Sequence, residues 1–224
     1  VENLINILKT AEKYKTHEMI EALLWPWINF YFNSGGCVWT MPGPHGKLET
    51  AIITQLKFLE RSQNKQSKIK LFTVDNKLTA NETGIAYAQD NIWKHVVGDA
   101  FQVLPAVIQA EHPMFAWFDL CGPLSEKNIM ELTKAITHIF SPGSLLFITA
   151  QTRGIRTPQI VNSFIYNALN SAEDVAFALN SYIMQTIASK GRSKRLFVCG
   201  KNWPYMYSRK NKNYAVFGYG IKSI

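Results

Sequence analysis

The stretch from Ile69 to Asp119, IKLFTVDNKLTANETGIAYAQDNIWKHVVGDAFQVLPAVIQAEHPMFAWFD, decides the fold. It holds three short apolar runs, Ile69–Val74, Val96–Val97 and Phe115–Phe118. Each is closed by an aspartate: Asp75, Asp99 (after Gly98) and Asp119. Short apolar runs bounded by Asp, Asn and Gly read as buried strands. Residues 78–93 and 101–110 between them read as helices, with Asn81 a cap for the first. The acids stand 24 and 20 residues apart, about one strand–helix unit each.

The same texture extends outward. Upstream, Cys37–Met41 is an apolar strand stopped by Pro42 and Gly43, followed by a helix over 45–61 and the polar loop Ser62–Lys68. Residues 2–17 have helical spacing, and a second helix over 17–32 is expected to break or kink near Pro26. Trp25 and Trp27 on it are expected to bury against the main domain rather than stack on a ligand. Downstream, Ser125 caps a helix reaching Phe140, with Asn128 at its third position. A turn at Ser141–Gly143 leads to a strand over 144–150, then helices over 158–170 and 172–190. Strands over 196–199, 205–208 and 214–219 finish the chain, the last two joined by the polar turn Arg209–Asn213. Alternating strands and helices give an α/β fold, a mostly parallel sheet with helices on both faces and a C-terminal antiparallel hairpin. Residues 1–34 read as an N-terminal helical extension and 35–224 as the domain.

Composition sets the bounds. The 224 residues are 47% apolar and 18% charged, enough for a core and too apolar for disorder. No run approaches the roughly 18 apolar residues of a membrane helix. The chain begins at Val1, as a fragment or processed chain does, and its first ten residues do not read as a secretory signal. Three spaced cysteines (Cys37, Cys121, Cys199) and five scattered histidines suggest neither a disulfide framework nor a metal site, and an intracellular, cytoplasmic setting is expected. The net charge is +8, and nine of the Lys and Arg lie between Val175 and Ile224, which contains no acid. Such a block either attracts a polyanion or merely solubilises a face.

Strand-end aspartates have two readings. One alone is a loop starter or a helix cap. Three in succession suggest a ligand at the carboxyl ends of the strands, where open α/β sheets bind. A carboxylate after the second strand suits a ribose diol, and Asp99 beside the small Ala100 suits an adenine ring and its amine.

The element order and the segments FTVDN, VVGDAFQVLP, FAWFDLCGPL and SPGSLLFITA resemble the class I S-adenosylmethionine-dependent methyltransferases over about residues 35–221. The resemblance implies a Rossmann-like, seven-stranded sheet and the cofactor S-adenosyl-L-methionine. It puts the ribose acid at Asp75, next to Asn76, and the adenine side at Asp99 and Ala100. The fourth motif falls at Asp119–Gly122, with Asp119 and Leu120 at the cofactor and Asp119 and Cys121 toward the chemistry. By its residue environment alone Cys121 reads as a small buried core residue. The first motif departs from the family: CVWTMPGPHGKLE (37–49) replaces the usual glycine-rich loop, leaving Met41, Pro42 and Gly43 for the methionine end. Glu49 is either a ligand residue or surface charge. The altered loop leaves open a divergent cofactor site or a silent module.

Arg153 would contact a phosphate or pair with a surface acid. With Arg192, Lys194, Arg195, Arg209, Lys210 and Lys212 it makes the expected nucleic-acid face. The reading is a methyltransferase of RNA or DNA. The alternatives are a methyltransferase of protein or small molecules, and a silent binding module with a nucleic-acid or protein partner. No membrane partner is expected.

Overall fold

Every residue of the first strand, β1 (Gly36–Thr40), is buried, where a strand with one wet face would alternate. The computed structural model describes residues 2–41, 47–75, 93–107, 112–152, 171–190, 194–199, 203–209 and 212–223. β1 pairs in parallel with β2 (Ile69–Asp75) on one side and β4 (Met114–Pro123) on the other. β3 (Trp93–Val97) lies beyond β2, and β5 (Leu145–Gln151) beyond β4, both parallel. β8 (Lys212–Ser223) then runs antiparallel to β5. Its far edge carries β6 (Lys194–Val198) and β7 (Tyr205–Arg209) end to end, both antiparallel to it. Eight strands therefore fill seven lanes in the order β3-β2-β1-β4-β5-β8, then β6 with β7. The expected mostly parallel sheet with a C-terminal antiparallel hairpin is the one observed.

Helices cover both faces. α1 (Glu2–Tyr31) and α2 (Lys47–Gln63) pack on one, where Ile20, Leu24, Ile28, Ile52 and Leu56 meet Val38, Leu71, Phe115 and Phe147. α3 (Ala100–Val107), α4 (Glu126–His138) and α5 (Ala172–Lys190) cover the other. Their Leu104, Ile129, Leu132, Leu179 and Ile183 pack on Trp39, Ala116, Phe118, Ile148 and Phe217. Ser125 caps α4 through a full capping box with Asn128, as its spacing predicts. The helix expected over 78–93 lies outside the described residues except for Trp93, which opens β3. The helix expected over 158–170 lies outside them entirely.

One expectation fails at the N-terminus. The two helices expected over 2–17 and 17–32 are one, Glu2–Tyr31, and Pro26 does not interrupt it. Pro26 removes the N–H that would meet the Ala22 carbonyl, but Ala22 and Pro26 are both exposed, so water can take that carbonyl. Four residues of this helix, Ile20, Leu24, Trp27 and Ile28, and Phe32 just past its end are at most 5% exposed. Trp27 also donates from Nε1 to the Gly143 carbonyl at 3.1 Å, so its buried role is the observed one.

The break between β6 and β7 brings Trp203 back across β8. A Cβ on Gly218 would lie 2.9 Å from the Trp203 ring and 3.0 Å from that of Phe147, so glycine is what lets the indole close on the sheet.

Candidate functional site at the carboxyl ends of the strands

The strand order reverses between β1 and β4, the switch point at which open α/β sheets take ligands. Thr40, the last residue of β1, is level with Thr73 on β2 and Trp117 on β4. Asp75 and Asp119 each stand two residues further on. They therefore occupy one level on the two strands flanking the end of β1, their backbones about 10 Å apart, two strand spacings. Because side chains alternate along a strand, both point to the face shared by Thr73 and Trp117.

Below that level this face is apolar: Val38, Leu71 and Phe115 are level with one another. One pleat higher it turns polar across three strands, with Thr40, Thr73 and His95 in register. Thr73 and Thr40 are buried, at 0% and 1% exposure. Thr73 Oγ1 and His95 Nδ1 lie 2.8 Å apart. Thr40 Oγ1 has no hydrogen-bond partner among the described residues. Glu49, in the first turn of α2, is also buried. Burial raises its carboxyl above the usual carboxylate range, while the nearby Thr40 hydroxyl pulls the other way. Glu49 is therefore not surface charge. Burial likewise lowers the His95 imidazole, against the pull of the Asp75 carboxylate.

Asp75 ends β2 half-buried, and its carbonyl accepts the Gly98 N–H at 2.9 Å. Gly98 has φ 152°, and a Cβ there would meet Val103 at 2.6 Å; glycine thus lets β3 hook back onto β2. Asp99 is exposed and caps α3: its Oδ1 accepts from the backbone N–H of Phe101 at 2.9 Å and of Gln102 at 3.3 Å. The capping role weighed for it is real, with Ala100 buried beneath. Asp119 and Leu120 are half-buried near the end of β4, and Cys121 follows in the same strand. Met41 is half-buried just past β1. Pro42, Gly43 and Asn76 lie outside the described residues.

Beside Asp119, Trp117 donates from Nε1 to Thr149 Oγ1 at 2.9 Å. The His17 ring of α1 lies T-shaped to the Trp117 ring, their centroids 4.8 Å apart. Sequence reasoning missed His17, Thr40, Thr73, Trp117 and His95. The period-two spacing of Thr73 and Asp75 within FTVD was the available signal for one of them; Thr40, Trp117 and His95 needed strand register, and His17 the packing of α1 on the sheet.

The basic residues divide between two ends of the sheet. Arg209 and Lys212 close the β7–β8 hairpin. The Thr152 N–H donates to the Asn213 carbonyl at 2.9 Å, holding that hairpin at the carboxyl end of β5. Lys194 and Arg195 open β6, opposite Ser223 and Lys222 at the amino end of β5. Arg153, Arg192 and Lys210 lie outside the described residues. No helix among the described residues is long and apolar enough to cross a membrane, and Cys37 and Cys199 are free thiols.

The seven-lane order with its antiparallel sixth lane is the class I methyltransferase fold. No protein-family model matches the chain, and no curated protein matches it. Solved structures similar to it include a provisionally assigned rRNA methylase from Clostridium thermocellum, 13% identical, covering 89% of this chain and 92% of that one at a TM-score of 0.49. An rRNA methylase from Streptococcus thermophilus is 12% identical, over 87% and 92% of the two chains, with a TM-score of 0.42. TrmN from Thermus thermophilus is 10% identical, over 88% and 47%, with a TM-score of 0.43.

Proposed function

We propose that the protein is an S-adenosyl-L-methionine-dependent methyltransferase acting on nucleic acid, RNA before DNA. The observation that carries this reading is the pair Asp75 and Asp119, level on the strands either side of β1 at the reversal of strand order. Asp75, next to Asn76, would accept hydrogen bonds from the ribose diol. Asp99 and Ala100 would border the adenine, and Met41, Pro42 and Gly43 the methionine end. The buried Glu49 carboxyl, with the Thr40 hydroxyl beside it, suits an ammonium group, since a buried carboxylate is costly unless a cation pairs with it. Asp119 and Leu120 would border the cofactor, and Asp119 and Cys121 the acceptor.

When bound, the cofactor supplies an electrophilic methyl on sulfur. The chain's own part is to align the acceptor for in-line displacement and to hold both partners in place. Of the basic residues Arg153, Arg192, Lys194, Arg195, Arg209, Lys210 and Lys212, those of the Arg209–Lys212 hairpin would carry most of the phosphate contact next to the site. In this reading residues 1–34 extend the 35–224 domain, and the protein works in the cytoplasm.

The test is calorimetric titration with S-adenosylhomocysteine, then methyl-labelled cofactor offered with RNA, DNA and protein fractions. Binding with label in RNA or DNA is expected. Label in protein or small molecules alone overturns the substrate. No binding overturns the enzyme reading in favour of the silent module, for which the sequence MPGPHG in place of the family's glycine-rich motif is the specific observation.

A further inference from the structure

Two glycines of β8, Gly218 and Gly220, each lie under an aromatic ring. Both share the face of the sheet that α1 and α2 pack on, because side chains alternate along a strand and Val216 is buried in that core. A Cβ on Gly218 would meet the Trp203 indole, and one on Gly220 would fall into the far end of the Phe197 ring. Phe197 is level with Gly220 on β6, so its ring reaches straight across the strand pair. The two rings differ in their cover. Trp203 also meets Phe147, at 5.4 Å between centroids, and is 8% exposed. Phe197 is 43% exposed.

A lone exposed phenylalanine is ordinary. This one has cations beside it. Lys222 is exposed and holds its Nζ 5.9 Å from the Phe197 centroid, at the outer limit of a cation–π contact. Arg195 stands opposite Lys222 on the same strand pair. Like charges placed opposite each other on paired strands disfavour the sheet, and the chain contains no acid from Val175 to Ile224. A polyanion would relieve that cost.

We propose that Phe197 is a stacking platform for a base of single-stranded nucleic acid, with Lys222 beside it for the adjoining phosphate. The proposal rests on the nucleic-acid reading above and adds a contact away from the methyl-transfer site. Through Gly220, Phe197 is level with Leu145 at the start of β5, whereas Asp119 is level with Thr149 near its end. Strand spacing and rise put the two about 20 Å apart. A single strand fits this chemistry because every base offers a π-face to an aromatic ring while nearby cations follow the backbone. A duplex keeps its bases stacked on one another and offers the ring only its outside.

The experiment is fluorescence anisotropy with a labelled mixed-sequence RNA of about 16 nucleotides, alone and paired with its complement. Wild type is compared with Phe197→Leu, which keeps an apolar side chain over Gly220 and removes the π-face. The variant is expected to bind the single strand roughly five- to 150-fold more weakly at every salt concentration. Its slope of log affinity against log salt, its duplex binding and its S-adenosylhomocysteine affinity should stay as in wild type. Unchanged affinity for the single strand, or an equal loss for strand and duplex, overturns the inference. The ring would then serve a protein partner or only shield Gly220, and the proposed function would stand. If Phe197→Leu does not fold, ultraviolet crosslinking of wild type to the same RNA carrying 4-thiouridine decides the point. Label in the tryptic peptide 196–201 supports the inference, and label only elsewhere overturns it. Wild type that binds neither strand nor duplex overturns the nucleic-acid reading itself, and this inference with it.

Discussion

Asp75 and Asp119 stand level with each other on the two strands that flank β1, each two residues past the partner of Thr40. Their backbones pair on the outer sides, Asp75 with Val97 and Asp119 with Thr149, and alanine keeps those pairings. Asp75→Ala should therefore leave the fold intact and weaken S-adenosylhomocysteine by about 1–3 kcal/mol, roughly five- to 150-fold, the cost of leaving polar groups unpaired. Calorimetry with a circular-dichroism melt checks this. Native-like melting with unchanged affinity would remove Asp75 from the site.

Glu49 makes a prediction in which stability and binding move in opposite directions. Burial raises its carboxyl above the ordinary 4.5, so the folded state holds a proton that the unfolded state has lost. Stability therefore falls as pH rises from about the unfolded value through the folded one, and stays lower above it. Glu49→Gln, which never ionises, should melt higher than wild type at neutral pH, the difference shrinking toward pH 4.5. The same variant should bind S-adenosylhomocysteine more weakly, a trade common at functional sites. A variant melting below wild type at neutral pH would contradict the argument.

The N-terminal helix tests where the folded unit begins. Ile20, Leu24, Trp27, Ile28 and Phe32 are buried against β1 and β4. Leu24→Ala should cost about 2–5 kcal/mol by removing buried methyl groups and leaving a cavity. Deletion of residues 1–34 should expose Val38, Phe115 and Phe147, giving a chain that aggregates or melts without cooperativity. A truncated 35–224 chain with a sharp native melt would show that the helix is an accessory.

Much of this was legible in sequence, for reasons that differ by region. The β1 and β5 strands were found because a strand buried on both faces is a nearly unbroken apolar run, and β2 because Asp75 and Asn76 close its apolar stretch. The α4 cap was found because Ser125 and Asn128 carry their own local chemistry. The unity of α1 was not: Pro26 reads as a break until its exposure is known. The polar row Thr40, Thr73 and His95 was also hidden, because its members lie 33 and 22 residues apart and meet only through register. Glu49 was ambiguous for the same reason, since burial of a first-turn acid depends on what the helix faces.

The basic C-terminal block was read as one face, and the strand register separates it into two. Arg209 and Lys212 close the hairpin that Thr152 holds at the carboxyl end of β5, the end that carries Asp75 and Asp119. Lys194 and Arg195 begin β6 at the opposite end. If nucleic acid approaches the candidate site, the two groups should contribute unequally. Arg209, Lys210 and Lys212 changed together to Glu should weaken RNA or DNA binding. They should also flatten the dependence of log affinity on log salt by roughly 0.7–0.9 for each phosphate no longer neutralised. Lys194 and Arg195 changed to Glu should alter that slope much less, and neither variant should change S-adenosylhomocysteine affinity. Fluorescence anisotropy with a labelled oligonucleotide over a salt series reads the slopes, and calorimetry reads the cofactor product. Equal losses from both sets would mean a diffuse electrostatic surface rather than a path to the site. No loss from the hairpin variant would mean that its cations only solubilise an exposed turn.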